Sequence, residues 1–217
     1  MKNALHYIYD PLCGWCYAAA PLLQDILSSP LRAQFAFEMH AGGLFQRMPL
    51  PAGKRAMIRQ ADARIAEITG QIFGEAYLDG LLAREDTIYD SLPPIAAILA
   101  AGAISPGSEP DMLHAVQNAH YRQGRAIVQE NTLADLAQNL GLERESFTNQ
   151  YQSILKDNIL DHLDNTLRLM HEAGAHGFPA FVIQKGHRLE RLAHERYYGN
   201  ASAFTAMFAD KFSSNPD

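Results

Sequence analysis

The chain has 217 residues, of which 47% are hydrophobic and 19% charged, as is typical of one globular domain with a large insertion or of two small domains. Its formal net charge of -6 argues against nucleic acid and anionic membranes as partners. No apolar stretch is long enough to span a bilayer or to form a signal-peptide core, which predicts a soluble cytoplasmic protein, although a mature secreted chain would show the same pattern.

Residues 5–40 predict a strand, a helix and a second strand. Leu5–Tyr9 is short, aromatic and partly β-branched, which favours a strand. The run that starts at Cys13 is rich in alanine and leucine and favours a helix, with Pro21 as a point of kinking. Phe35–His40 alternates between apolar and other residues and predicts the second strand.

Residues from about 53 to 173 predict helices almost throughout. No fixed repeat period is visible, so a solenoid is not indicated. The predicted helical segments are Ala56–Thr69, Ile72–Leu82, Ser91–Ile104, Glu109–Arg122, Thr132–Leu140, Arg144–Tyr151 and Leu155–Ala173.

Strand character returns near the carboxyl end. Phe178–Gln184 and His187–Leu192 predict a hairpin around a tight turn at Lys185 and Gly186. An amphipathic helix follows Gly199, and the preceding Tyr197 and Tyr198 are interpreted as its lead-in, with a position facing the cysteine site as the alternative. The order is therefore β-α-β, a helical block and β-β-α, and the two ends must share one sheet to bury their strands.

The two cysteines, Cys13 and Cys16, are the only ones in the chain and lie three positions apart. A structural zinc site would need further ligands, and no second cysteine pair or close histidine pair is present, so we predict no metal. Burial as packing residues is an alternative. A dithiol–disulfide pair is favoured, because residues three apart share one face of a helix and the helix amino terminus stabilises a thiolate at Cys13.

The chain resembles the DsbA-type branch of the thioredoxin superfamily, and most closely its cytoplasmic FrnE-like members. Three motifs carry the resemblance together with the inserted helical block: YDPLCGWCY at 9–17, HAGGLF at 40–45 and GFPAFVI at 177–183. The resemblance implies an α/β thioredoxin fold with a large all-helical insertion. It divides the chain into a discontinuous thioredoxin-like domain, 1–45 plus 174–217, and an inserted helical domain, 46–173.

The resemblance also implies how the site is arranged. The peptide bond between Phe178 and Pro179 is expected to be cis, with the proline against the cysteine turn and Phe178 offering backbone groups to an extended substrate. Gly14 and Trp15, between the cysteines, are expected to tune the redox potential and to contact substrate. Neither residue adds positive charge, which argues against extreme stabilisation of the thiolate.

Proton transfer is less clearly assigned. Relatives carry a buried carboxylate six residues before the first cysteine, where this chain has Tyr7. Asp10 is a candidate substitute, although a turn or capping role is the simpler interpretation. His40 and His176 are further candidates, because they lie near the ends of strands that meet the cysteine turn.

The implied function is that of a thiol–disulfide oxidoreductase or isomerase, with Cys13 as nucleophile and Cys16 as the resolving thiol. One alternative is a glutathione-dependent isomerase of the 2-hydroxychromene-2-carboxylate isomerase type, which the cysteine pair disfavours because those enzymes use a serine. Another is a redox-linked chaperone or binding module. No cofactor beyond the cysteine pair is expected, and the partners are protein or small-molecule thiols and disulfides, with glutathione as a candidate co-substrate. The substrate, the direction of exchange and the oligomeric state are left open.

Overall fold

The computed structural model describes residues 3–213, which form six strands and eight α-helices. The strands are β1 (Ala4–Tyr9), β2 (Ala36–Ala41), β3 (Met48–Pro49), β4 (Ile88–Tyr89), β5 (Ala180–Lys185) and β6 (Arg188–Leu192). The helices are α1 (Gly14–Ser28), α2 (Ala52–Thr69), α3 (Leu92–Ile104), α4 (Glu109–Tyr121), α5 (Glu130–Asn139), α6 (Arg144–Ser153), α7 (Ile159–Glu172) and α8 (Ala201–Ser213). None of these helices combines the length and apolar character needed to cross a bilayer.

A four-stranded mixed sheet of order β2-β1-β5-β6 joins the two ends of the chain. Strand β1 is parallel to β2 and antiparallel to β5, and β5 is antiparallel to β6. Because successive side chains of a strand point to opposite faces, Leu5, Tyr7 and Tyr9 pack into the main core with α1 and α8. Ile8 packs on the other face, beneath α7.

The element order confirms the predicted thioredoxin fold with a helical insertion. The insertion is not wholly helical, however, because β3 and β4 form a two-stranded ladder within it. Strands of two residues are too short to carry an alternating pattern, which is why no sequence pattern predicted them. The structure does not test the predicted domain limits, 1–45 plus 174–217 and 46–173, which stay predictions.

The predicted helix Ile72–Leu82 is wrong in its first part. Gln71–Gly74 is irregular and is followed by a π-helical turn over Ala76–Leu81. A methyl group on Gly74 would lie 2.1 Å from the carbonyl oxygen of Arg122, so this segment is shaped by its close approach to the end of α4. Such a contact between distant segments leaves no local signal in the sequence.

Pro21 lies inside α1 without ending it. Proline has no N–H to donate to the carbonyl four residues earlier, which here belongs to Tyr17. The Nε2 group of Gln71 donates to this carbonyl instead, at 2.6 Å, and the Tyr17 hydroxyl donates to the carbonyl of Ile72 at 3.0 Å. The segment after α2 is thereby bonded to the helix that carries the cysteines.

Candidate active site

The two cysteines lie at the amino terminus of α1. Cys13 has extended backbone angles and occupies the N-cap position, and its carbonyl accepts the N–H groups of Cys16 and Tyr17 at 2.9 and 3.1 Å. Both thiols are free in the structure. The amino terminus of α1 directs its free N–H groups and partial positive charge towards Cys13.

The two thiols differ in their surroundings. Cys13 retains 8% exposure, and its thiol donates to the carbonyl oxygen of Phe178 at 3.6 Å. Cys16 is fully buried, and its sulfur accepts the backbone N–H of Asp10 at 3.4 Å. Burial, together with the neighbouring Cys13, raises the pKa of the Cys16 thiol well above its ordinary value. Cys13 is therefore the outer thiol, and Cys16 stays protonated until it reacts.

The loop before β5 supplies the second part of the site. The Phe178–Pro179 peptide bond is cis, as the resemblance implies. Pro179 is buried, and the half-buried Phe178 ring packs on the end of β2. A methyl group on Gly42 would lie 1.9 Å from Cζ of this ring. Gly42 thus leaves room for the aromatic side chain beside Cys13.

Asp10 lies beside the cysteine turn and has the role of a turn residue. Its carboxylate accepts the N–H groups of Leu12 at 2.9 Å and Leu44 at 2.6 Å and the hydroxyl of Ser91 at 3.0 Å. Burial raises the pKa of Asp10 to about 6, although these three hydrogen bonds oppose the shift. The carboxylate orders the loop before Cys13, and none of its described hydrogen bonds reaches a thiol.

The structure separates the two histidine candidates. His176 is exposed and lines the same groove as Trp15. His40 instead bonds His6, with their ring nitrogens 2.9 Å apart, on the face of the sheet beneath α7. Burial and the neighbouring His6 and His162 lower the pKa of His40 to about 4, and its described contacts do not include either cysteine.

Two tyrosines contact the segment that carries the cysteines. The buried hydroxyl of Tyr7 donates to the carbonyl of Cys16 at 3.4 Å, and burial raises the pKa of Tyr7 well above its ordinary value. Tyr198 donates to the carbonyl of Trp15 at 3.4 Å and packs on the indole, with ring centroids 5.2 Å apart. Tyr198 therefore belongs to the site as well as preceding the last helix.

Asp62 is a residue of the site that sequence reasoning missed. A methyl group on Gly14 would lie 2.9 Å from Oδ1 of Asp62 and 2.9 Å from Cδ1 of Ile65, so α2 packs directly on the cysteine turn. Burial raises the pKa of Asp62 to about 6, and Tyr77 donates a hydrogen bond to its Oδ2 at 2.8 Å. One feature of the sequence could have indicated that Asp62 is buried: it lies on the same face of the helix as Ile58 and Ile65.

A groove of about 610 Å³ opens beside the cysteine turn and the cis-proline loop. Its walls combine aromatic rings with cationic side chains, and Arg191 is paired with Glu195 at 2.8 Å. The principal lining residues are Trp15, Arg64, His176, Phe178, Arg191 and Tyr198.

A thioredoxin-like sheet, a partly accessible and a fully buried cysteine on one helix turn and an adjacent proline loop define a thiol–disulfide oxidoreductase. The chain belongs to the DSBA-like thioredoxin domain family, whose model matches residues 5–205. It is a DsbA-like disulfide oxidoreductase. A search of curated proteins found no match.

Solved structures extend this comparison. The cytosolic disulfide reductase DsbM from Pseudomonas aeruginosa is 38% identical, with a TM-score of 0.89 over 96% of this chain and 98% of that one. The same protein has been solved with GSH, with a TM-score of 0.88 and 39% identity over 97% of this chain and 100% of that one. A protein from Nitrosomonas europaea, provisionally assigned as a protein disulfide isomerase, is 26% identical, with a TM-score of 0.82 over 99% and 100% of the two chains.

A 2-hydroxychromene-2-carboxylate isomerase also matches, with a TM-score of 0.56 over 97% of this chain and 100% of that one. Its identity is 15%, so the likeness shows the shared fold alone. The isomerase alternative thus gains no chemical support from the comparison.

Proposed function

We propose that the protein reduces disulfides in the cytoplasm, with Cys13 as the attacking thiol, Cys16 as the resolving thiol and glutathione as the electron donor. The unequal burial of the two cysteines carries this proposal, because Cys16 is fully buried whereas Cys13 retains 8% exposure and is the one that an incoming disulfide can reach. The reducing direction and the compartment are supported by the 38% identical relative, a cytosolic disulfide reductase.

Reduction proceeds by two exchanges. The Cys13 thiolate attacks one sulfur of the substrate disulfide, a Cys13–substrate bond forms, and the other substrate sulfur leaves and takes up a proton. Cys16 then loses its proton and attacks the Cys13 sulfur, which releases the second substrate thiol and leaves a Cys13–Cys16 disulfide. Two electrons have passed from the dithiol to the substrate.

Glutathione restores the dithiol in this proposal. One glutathione thiolate attacks the Cys13 sulfur and forms a mixed disulfide, while the Cys13–Cys16 bond breaks and the Cys16 sulfur takes up a proton. A second glutathione thiolate attacks the glutathione sulfur, which releases Cys13 and yields glutathione disulfide and the reduced protein. The groove supports this role, because Arg64 and Arg191 line it and glutathione carries two carboxylates. The structure of the DsbM relative with GSH supports it as well.

The remaining site residues position the substrate. Phe178 and Pro179 offer an extended backbone beside Cys13 to which a peptide can align. Trp15 presents an aromatic surface in the groove, and Gly14 allows α2 to approach the cysteine turn. The insertion, taken as residues 46–173, then forms one wall of the site.

Trapping the mixed disulfide tests the roles of the two thiols. Cys16→Ser, treated with glutathione disulfide, is expected to accumulate one glutathione per chain on Cys13 by mass spectrometry. Cys13→Ser is expected to react at least about tenfold more slowly, because Cys16 is buried and its pKa is raised. Equal labelling of the two variants would contradict the assignment.

Two further measurements separate the alternatives. An equilibrium potential near about −270 mV supports a reductant, whereas a value near about −120 mV would indicate an oxidant. If the protein were a glutathione-dependent isomerase, it would bind glutathione. Its two cysteines would then stay reduced after glutathione disulfide is added. A chaperone would protect an unfolding client equally well after both cysteines are changed to serine.

A further inference from the structure

A second group of chemically active side chains lies on the opposite face of the sheet from the cysteines. His6 on β1 is directly opposite Glu38 on β2, and His40 lies two residues beyond Glu38, so that all three share one face. Tyr7 and Tyr9 point to the other face, into the core that contains both cysteines. The disulfide chemistry makes no use of this group.

The ligand atoms of the three side chains converge. Nδ1 of His6 lies 2.9 Å from Nε2 of His40 and 3.5 Å from Oε2 of Glu38. Nε2 of His40 and Oε2 of Glu38 are 3.8 Å apart. Tetrahedral zinc with bonds of about 2.0–2.1 Å separates its ligand atoms by about 3.3 Å. The three observed separations lie on either side of this value, so one ion fits between the atoms with small side-chain adjustments.

Gln184 sets the orientation of the His6 ring. Its Nε2 group donates to the carbonyl of Gly186 at 3.1 Å, so its Oε1 atom faces Nε2 of His6 at 2.8 Å. An amide oxygen only accepts hydrogen bonds, so the neutral His6 ring carries its proton on Nε2 and directs the lone pair of Nδ1 towards His40 and Glu38. An outer partner of this kind typically orients metal-binding histidines.

The group is reached through a cleft of about 880 Å³ lined by Glu38, His40, His162 and Asp111. The Glu38 side chain is 53% exposed and that of His40 is 19% exposed, so an ion has an entry path and room for a water ligand. His162 is not counted as a ligand, because its Nε2 atom accepts the backbone N–H of Ala41 at 3.0 Å.

We propose that His6, Glu38 and His40 form a binding site for a divalent transition-metal ion, with Zn²⁺ as the best match. Two imidazoles, one carboxylate and a position open to water are a common ligand set for this ion. The ion joins β1 to β2 and holds the register of the strands that lead to Asp10 and Gly42. Sequence spacing gave no sign of the site, because His6 and His40 are 34 residues apart and meet only through the parallel pairing.

Zinc titration of the full chain with both cysteines changed to serine tests the proposal, because the thiols could bind zinc themselves. Calorimetry is expected to find one Zn²⁺ per chain, and Co²⁺ is expected to give the visible absorption bands of a tetrahedral site. Glu38→Gln and His40→Gln should each weaken zinc binding at least about tenfold, and Gln184→Leu should weaken it about tenfold through the His6 ring. Asp111→Asn removes a carboxylate from the same cleft and should leave the affinity unchanged.

Melting curves with and without Zn²⁺ give a second readout. The ion should raise the melting temperature of the double-serine chain and should raise that of His40→Gln much less at the same zinc concentration. If His40→Gln does not fold, Glu38→Gln decides the question, because its side chain is half exposed. Absence of zinc binding, or equal affinity in Glu38→Gln and Asp111→Asn, would overturn the proposal and leave a hydrogen bond between two histidines.

Discussion

At the scale of single residues, the fate of the Cys16 proton is central to the chemistry. Cys16 must ionise before it can attack the mixed disulfide, yet burial raises its pKa. Gly14 lies between the two cysteines in the sequence, and the Asp62 side chain packs against it. Burial raises the pKa of Asp62 to about 6. It is therefore ionised at neutral pH and has a basicity suited to accepting a proton; we expect this transfer to pass through water, because its described hydrogen bonds do not reach Cys16.

We expect Asp62→Asn to slow the release of the mixed disulfide by about a hundredfold, the usual contribution of a general base. Attack by Cys13 should be much less affected. Stopped-flow kinetics at a series of pH values measure the first phase, attack by Cys13, and the second phase, release of the mixed disulfide. The rate of the second phase in the wild type should show an inflection near pH 6 that the variant lacks. Glu67→Gln, an exposed change on the same helix, is the control. Equal second phases in Asp62→Asn and Glu67→Gln would contradict this role.

The stability of the Asp62→Asn variant shows whether slow exchange reflects structural damage. Because the folded pKa of about 6 exceeds the ordinary 3.8, the native state binds more protons than the unfolded state between these values. The stability contributed by Asp62 therefore falls as pH rises from about 4 to 6. The variant should be more stable than wild type by up to about 3 kcal/mol at pH 7.5 and by much less at pH 4. His40 and His120, whose pKa values are lowered, titrate in both proteins and cancel in this difference.

At the scale of elements, two loops from opposite ends of the chain meet at Cys13. The residue after β2, Gly42, packs against the ring of Phe178, whose carbonyl oxygen lies 3.6 Å from the Cys13 sulfur. The backbone N–H of Gly42 also donates to the carbonyl of Tyr9 at 2.8 Å, which fixes its position relative to β1. A side chain at position 42 must therefore displace the ring, because the backbone cannot move away freely.

Gly42→Ala is expected to lower kcat/KM for disulfide exchange by about tenfold, which corresponds to about 1.4 kcal/mol. The added methyl group would lie 1.9 Å from Cζ of Phe178 and would push the ring and its backbone away from Cys13. Steady-state kinetics with a peptide disulfide provide the measurement. Gly53→Ala is the matched control, since no atom lies within 4 Å of its new methyl group. The steric explanation fails if adding Phe178→Leu to Gly42→Ala restores none of the lost activity.

At the scale of the whole molecule, the sequence predicted the features that depend on local patterns or on family resemblance. It did not predict the residues whose positions depend on tertiary packing. The helix that begins at Cys13 and the hairpin near the carboxyl end follow from short-range patterns. The cis bond between Phe178 and Pro179 followed from the family resemblance. Asp62 and the pair His6 and His40 could not be placed in the same way, because their neighbours are set by helix packing and strand register across many residues.

The insertion and the sheet are joined by hydrogen bonds at one buried residue. Ser91, just before α3, donates through its hydroxyl to Asp10 at 3.0 Å, and the same oxygen accepts the N–H of Phe45 at 3.1 Å. The backbone N–H of Ser91 donates to the carbonyl of Phe45 at 2.8 Å. Asp10 in turn orders the loop before Cys13, so packing of the insertion is coupled to the geometry of the cysteine turn.

Ser91→Ala is therefore expected to destabilise the fold by about 1–3 kcal/mol, because it removes the acceptor of the Phe45 N–H and one of the three donors to the buried carboxylate of Asp10. It should also raise the pKa of Asp10 further, since the Ser91 hydroxyl opposes the effect of burial there. Urea unfolding at pH 7.5 measures the change in the free energy of unfolding. Ser108→Ala is the matched control, because the buried hydroxyl of Ser108 makes no hydrogen bond within the described residues, and its removal should cost much less. Similar losses in the two variants would show that the Ser91 bonds do not couple the insertion to the cysteine loop.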